Sequence, residues 1–308
     1  MFAYQNPLDN IKKFFKSKSP LVYLIYINLG VIILVHLTNV VCWLFEIKNH
    51  AGTNANVSLL TYYLSLPADL GQISLRPWTL LTYMFLHENI LHFLLNMIVL
   101  YFGGRIFLEY LTERKLLSVY ILGGIAGALF YIGAFNFFPV FKGSISDSIA
   151  LGASASVLAI LFAIATYVPN YIIVLFIFGR VKLKYLALII VLVDILSIPL
   201  GNAGGHIAHL GGAFWGFLYI ILLKQGSNLS FRLKKINFGH LKFKKRKTTY
   251  ENTYQTGRPL TDEEYNYRRK EKQERIDEIL EKIARSGYSS LTKEEKALLF
   301  QSSNKNNS

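Results

Sequence analysis

The chain has 308 residues, 52% of them apolar and 14% aromatic, with a formal charge of +14 at pH 7. Its one cysteine, Cys42, lies in an apolar run, which excludes a disulfide-stapled secreted scaffold. Nine Lys and Arg fall between Pro20 and Leu223, but twenty follow from Lys224 onward, against eleven acids. That split argues for an apolar membrane body with a basic soluble tail and against a nucleic-acid surface, because basic residues gather at the cytoplasmic ends of membrane spans.

Residues 1–19 read as a basic cytoplasmic N-terminus. The apolar run that follows, from Leu21 to Phe45, exceeds a signal-peptide core and is expected to remain as a first membrane helix. A helix crosses a bilayer with about 20 mostly apolar residues. On that measure the spans are expected near 21–45, 86–104, 116–138, 149–168, 183–200 and 206–223. The run YIIVLFIF at 171–178 is too short to span, and Arg180, Lys182 and Lys184 follow it; it reads as an interfacial stretch. With six spans and an inside N-terminus, the inside pieces 1–19, 105–115 and 169–184 hold four, three and three Lys or Arg. The outside loops hold Lys48, Arg76 and Lys142, so the charge bias favours both termini in the cytoplasm. The longest outside loop, about 46–85, contains Trp78 and other aromatics suited to the membrane–water boundary.

Three spans carry polar groups that a membrane helix rarely tolerates without a purpose. His92 and Asn96 in LHENILHFLLN are four apart and share a helix face, where they could donate hydrogen bonds to a developing oxyanion. His87 lies about 140° round the same helix at roughly 100° per residue, so it is expected to point elsewhere and tie down the preceding loop. His87-Glu88-x-x-x-His92 has one residue too many for the zinc motif H-E-x-x-H, so no metal is expected. Ser154 follows Gly152-Ala153 in LGASASVLAI; small residues like these serve close helix packing as readily as chemistry. In AHLGGAFWG, His209, Gly212, Ala213 and Gly216 fall at i, i+3, i+4 and i+7. Small residues on its own face would let His209 approach the serine helix. His206, three residues earlier, lacks them and ranks second.

At this point the sequence resembles the rhomboid family of intramembrane serine proteases. The family pattern is H-x4-H-x3-N on the second helix, G-x-S-x on the fourth and H-x-x-G-x-x-x-G on the sixth. Here it reads His87, His92 and Asn96, then Gly152-Ala153-Ser154-Ala155, then His209, Gly212 and Gly216. The resemblance covers about residues 20–223, and Glu109 in RIFLEYL and the run YILGGIAGAL at 120–129 also fit it. It implies an all-α, six-transmembrane-helix bundle. It implies Ser154 as nucleophile, His209 as general base and acid, and His92 and Asn96 with the Ser154 backbone N–H as oxyanion donors. His87, Gly152, Gly212, Gly216, Glu109 and Trp78 would be supporting residues. The family works with a dyad, which makes Asp194 on the fifth helix structural, although the sequence alone leaves it a catalytic part. The chain departs from the family in two places: Trp78 is followed by Thr79 rather than arginine, with Arg76 nearest, and Leu158 stands where many members carry an aromatic behind the histidine.

The tail, ERIDEILEKIARSGYSSLTKEEKALLF, resembles a short helical module appended to rhomboids of some bacteria. Ile276, Ile279, Leu280 and Ile283 make one helical face, and Thr292 with Glu295 is a capping-box signal for a second helix. The expected organisation is a membrane domain at 20–223, a basic linker at 224–261 and a helical cytoplasmic module at 262–308. The implied function is cleavage of transmembrane protein substrates in or near the lipid bilayer of a bacterial inner membrane. No cofactor, metal or nucleic acid is expected. The alternative is a catalytically silent relative that binds transmembrane clients; such a protein would be expected to lack the serine or the histidine.

Overall fold

The computed structural model describes residues 14–46, 58–175 and 179–227, and in the tail 278–279, 282–283, 288–292 and 294–296. The chain divides into two units, Met1–Lys235 and Ile236–Ser308.

The first unit is a helical bundle. Helix α1 (Pro20–Leu44) begins on a proline at its first position, where the missing N–H costs nothing. It buries a stripe from Leu21 to Val35. The polar member of that stripe, Asn28, donates to the Leu24 carbonyl at 2.8 Å and to the Tyr120 hydroxyl at 3.1 Å. Three short helices follow in the loop after it: α2 (Leu59–Leu64), α3 (Leu70–Leu75) and α4 (Thr79–Thr82). They are tied by side chains to backbone. Trp78 Nε1 donates to the Tyr63 carbonyl at 2.9 Å, and Thr82 Oγ1 to that of Leu64 at 2.8 Å. The Arg76 guanidinium bonds the Tyr62 carbonyl and Gln72 Oε1, and stacks 4.1 Å from the centre of the Tyr62 ring. The missing Trp-Arg pair is thus replaced by two separate anchors, Arg76 and Trp78.

The remaining long helices are α5 (Ile90–Tyr110), α6 (Glu113–Phe137), α7 (Ser154–Tyr167), α8 (Leu183–Ser197) and α9 (Ala203–Lys224). A 3-10 turn, Ile198–Leu200, extends α8. Helices α1, α5, α6, α8 with its turn, and α9 are long and apolar enough to cross a membrane, and the protein is an integral multi-pass membrane protein. Helix α7 is different. At 14 residues it is about 21 Å long, short of the roughly 30 Å of a hydrocarbon core. The expected fourth span, 149–168, begins later than composition suggests. Its first residues are extended: strand β1 (Leu66–Pro67) pairs antiparallel with β2 (Ile149–Ala150), and Gly152 takes φ +124°. The chain therefore enters the bundle as a strand and turns into helix at Ser154.

Helix α7 packs on α5, α6, α8 and α9 and is buried almost all round. A helix apolar on every face belongs in such a position. The run at 171–178, expected as an interfacial stretch, is extended where it is described. Strand β3 (Ile172–Leu175) pairs antiparallel with β4 (Gly179–Lys182), forming a hairpin between α7 and α8.

In the second unit, Ile279 and Leu291 are buried. Thr292 and Glu295 form the reciprocal cap: Thr292 N–H donates to Glu295 Oε2 at 2.7 Å and Glu295 N–H to Thr292 Oγ1 at 3.3 Å. Lys282 Nζ reaches Glu295 Oε1 at 2.8 Å. Ile276, Leu280 and the end of the expected second helix, Leu298 to Phe300, lie outside the described residues.

Candidate active site

Ser154 is the first residue of α7, so its backbone N–H has no partner within the helix and faces outward from the helix N-terminus. The turn that delivers it depends on Gly152. The φ of +124° suits only glycine, and a Cβ there would stand 3.4 Å from His92 Cε1 and 3.7 Å from Ser154 Oγ. A side chain would therefore enter the space between the serine and His92. The Gly152 N–H is held by the Tyr83 carbonyl at 3.0 Å.

His209 reaches the serine because α9 lies backbone to backbone against α7. A Cβ on Gly212 would collide with the Ala155 carbonyl, and one on Gly216 with that of Ala159. Ala213 is buried beside them. Small residues allow this approach, and the imidazole follows. His209 Nε2 lies 2.6 Å from Ser154 Oγ. Its other nitrogen, Nδ1, lies 2.9 Å from Asp194 Oδ1. His206 Nδ1 lies 2.7 Å from the same oxygen. Asp194 is thus joined to both histidines, a contact that reading by family pattern passed over. A lone acid in the apolar helix LKYLALIIVLVDILS was the signal that could have found it.

His92 and Asn96 face the same cavity as Ser154 and His209. It has a volume of about 350 Å³, with apolar walls from Val157 and Leu158 of α7 and Ile190 and Val193 of α8. Leu158 leaves the imidazole without an aromatic support at that position. The Asn96 amide donates one N–H to the His92 carbonyl at 3.0 Å, which leaves the second N–H to donate. Ser156, two residues from Ser154, is fully buried and its Oγ stands 3.7 Å from Met84 Sδ, away from the cavity lining.

His87 corrects the helical-angle argument. It precedes α5, whose N-cap is Asn89, so it is not on the helix at all. Its ring centre is 5.9 Å from that of His92, edge to face, rather than diverging from it. Fully buried, it accepts from the Ala153 N–H at Nε2, 3.4 Å away, and so holds the serine turn. Burial, and then the neighbouring His92, push its pKa down to about 4, which keeps the ring neutral and Nε2 free to accept. Glu88 is engaged elsewhere, accepting from Thr61 Oγ1 at 2.7 Å.

Glu109 lies at the opposite end of α5 from His92, about 25 Å along the axis at 1.5 Å per residue. Burial, and after it the Glu109 carboxylate, push the Tyr171 phenol up, placing Glu109 beside the loop that follows α7. Trp78 belongs to the loop between α1 and α5 and does not line the cavity.

Among the described residues, Asp194, His206 and His209 are the group able to hold a metal, with donor atoms within 4.8 Å of one another. As placed, both imidazoles give Nδ1 to one carboxylate oxygen, and the other nitrogen of His209 faces serine. An ion there would have to displace those two hydrogen bonds.

Comparison with known proteins points to one family for the membrane unit. The model of the Rhomboid domain matches residues 74–226. A family of unknown function (DUF6576) matches residues 261–305. Presenilin-associated rhomboid-like protein A, mitochondrial, of Danio rerio is 29% identical over 171 residues, 53% of this chain and 40% of that protein. RHOMBOID-like protein 12, mitochondrial, of Arabidopsis thaliana is 33% identical over 153 residues, 45% of this chain and 44% of its own. The human presenilin-associated rhomboid-like protein, mitochondrial, is 30% identical over 175 residues, 53% of this chain and 41% of its own. The chain therefore matches less than half the length of each of these relatives.

Proposed function

The chain belongs to the rhomboid family, and from that premise we propose that it is an intramembrane serine endopeptidase acting on transmembrane protein substrates in or near the bilayer. The observation that carries this reading is the 2.6 Å contact between Ser154 Oγ and His209 Nε2 in a cavity also lined by His92 and Asn96.

The chemistry follows from the atoms present. The Ser154 hydroxyl gives its proton to His209 Nε2 as Oγ attacks the scissile carbonyl. Negative charge collects on the carbonyl oxygen. The Ser154 N–H, the second N–H of Asn96 and the His92 ring are the donors available to it. His209 then passes its proton to the departing amine, leaving an acyl group on Ser154. Water, deprotonated by His209, releases the acyl group and restores the serine. The apolar walls suit a substrate side chain from a membrane segment, and His92, Asn96, Ser154 and His209 give the cavity polar groups to meet the water that hydrolysis consumes.

The short inside loops are basic, which supports cytoplasmic termini. The tail's likeness to a module of bacterial rhomboids supports a bacterial inner membrane; the mitochondrial location in the relatives' names is theirs. The match over 261–305 supports a separate tail module, joined to the membrane domain at 20–223 by the linker 224–261.

The test is labelling of the purified protein with a fluorophosphonate and mapping of the adduct. An adduct on Ser154 that is lost in His209→Ala is expected. Labelling of Ser156, or none on a folded protein, would end this reading.

A further inference from the structure

We infer that Asp194 and His206 act as a positioning pair for His209, making the site a triad whose carboxylate is braced by a second histidine. The inference rests on the protease reading, because it concerns the same base. A carboxylate in a membrane helix is expensive and needs a reason. Helix α8 fully buries three residues, Leu183, Ala187 and Asp194, and the acid is the polar one among them. Both imidazoles meet the same atom, Oδ1, at 2.7 and 2.9 Å. A carboxylate oxygen only accepts, so each ring must carry its proton on Nδ1. For His209 that choice leaves Nε2 with its lone pair towards Ser154, the tautomer a general base requires. Without an acceptor at Nδ1 the ring is free to carry its proton on Nε2, where it cannot take one from serine. Once His209 has taken the serine proton, the carboxylate lies against the new cation. His206 serves the acid rather than the serine. It sits one turn before His209 on α9, with ring centres 5.9 Å apart, and its bond to Oδ1 limits rotation of the carboxylate.

The experiment uses the full chain in detergent. It measures kcat and KM per folded molecule, and reads the protonated nitrogen of His209 from ¹⁵N shifts. Because both bonds go to Oδ1, Asp194→Asn can keep the acceptor while losing the charge. Its kcat should fall about tenfold with KM unchanged, since a bond to a neutral acceptor is weaker. Asp194→Leu removes the acceptor, and its kcat should fall at least about a hundredfold; loss of the correct tautomer in a soluble triad costs about 10⁴. His206→Phe should cost a few-fold, about the effect of one neutral hydrogen bond. The Nδ1 proton should be present in wild type and Asp194→Asn and redistributed in Asp194→Leu. A purely structural acid would lower the melting temperature and leave kcat per folded molecule unchanged, and that result overturns the inference. So does a wild-type His209 protonated on Nε2. Should Ser154→Ala still cleave substrate, the Ser154–His209 dyad fails, while the nitrogen shifts still judge Asp194.

A separate observation carries a second inference: the structure assigns the outward face of the β3–β4 hairpin to anionic lipid headgroups. The register sets Ile172 opposite Lys182 and Val174 opposite Arg180, so these four share one face. All four are exposed, Val174 at 75%. Ile173, on the other face, packs against the core. Apolar side chains alternating with cations fit a membrane interface, where the apolar groups enter and the cations meet phosphate. Arg180 and Lys182 make no ion pair among the described residues. The linker at 224–261 is itself basic, which disfavours it as the occupant. Val174→Cys in a Cys42→Ser background, labelled with an environment-sensitive dye, should emit further to the blue in phosphatidylglycerol-containing vesicles than in phosphatidylcholine alone. Arg180→Gln with Lys182→Gln should remove that difference. Equal emission in the two vesicle types, or a difference that survives loss of both cations, rejects the assignment.

Discussion

Helices α7 and α9 meet through glycine and alanine with backbone against backbone, whereas α8 stands at the edge with most of its side chains exposed. Both regions supply the site: the seam contributes Ser154 and His209, the edge contributes Asp194. The contrast teaches how a bundle holds a 2.6 Å contact inside a membrane. In lipid, apolar side chains gain little from leaving their solvent, so close association rests on van der Waals fit between small residues. The seam has that fit at Gly212 and Gly216. The edge has a polar contact instead, and Leu188, Leu192, Ile195 and Leu196 are exposed on its outer side.

The largest expected effect breaks the chemistry at the seam and leaves the fold alone. Ser154→Ala and His209→Ala should each abolish cleavage of a transmembrane model substrate with an unchanged melting curve, whereas His206→Ala should retain fluorophosphonate labelling. Cleavage by the serine variant, or labelling lost in His206→Ala but kept in His209→Ala, would reassign the dyad. Next comes the seam itself. Gly216→Val places a side chain against the Ala159 carbonyl, and overpacking of this kind costs about 1–3 kcal/mol or more. The melting temperature should drop, and kcat of the remaining folded protein with it; a wild-type curve would show that the helices are not in close contact.

Asn96→Ala and His92→Ala should lower kcat by up to about 10²–10³ with little change in KM, the effect of removing one oxyanion donor in a soluble hydrolase, or less where water substitutes. Wild-type turnover in both rejects the role. Smallest of all should be the edge. Leu192→Ala lies on the exposed side of α8, at 53% exposure, and should change detergent stability by less than about 0.5 kcal/mol. A loss comparable to that of Gly216→Val would mean that α8 is held as firmly as the seam. Chelators should change neither stability nor turnover; inhibition by a chelator that zinc reverses would point to the Asp194, His206 and His209 group.

Much of the fold is legible in the sequence. Apolar runs of about 20 residues define spans because the bilayer demands them. The offsets of His209, Gly212 and Gly216 place them on one face because a helix has 3.6 residues per turn. The Thr292–Glu295 cap was readable for the same local reason. What depends on a single stretch of backbone can be read from that stretch. His87 shows the limit. A helical angle misplaces it because α5 begins after Asn89, and its partner, the Ala153 N–H, is 66 residues away. The start of α7 is likewise not legible locally, because pairing of Ala150 with Leu66 outweighs the helical preference of an apolar run. Asp194 was visible as an oddity, but its two imidazole partners belong to another helix. Sequence by itself determined the membrane class and the spacing that makes the seam, which follow from composition and local period, and it marked the candidate side chains of the site. Only the tertiary structure decided which nitrogen meets which oxygen, because hydrogen bonds between helices depend on their relative rotation and depth, and no local repeat encodes either.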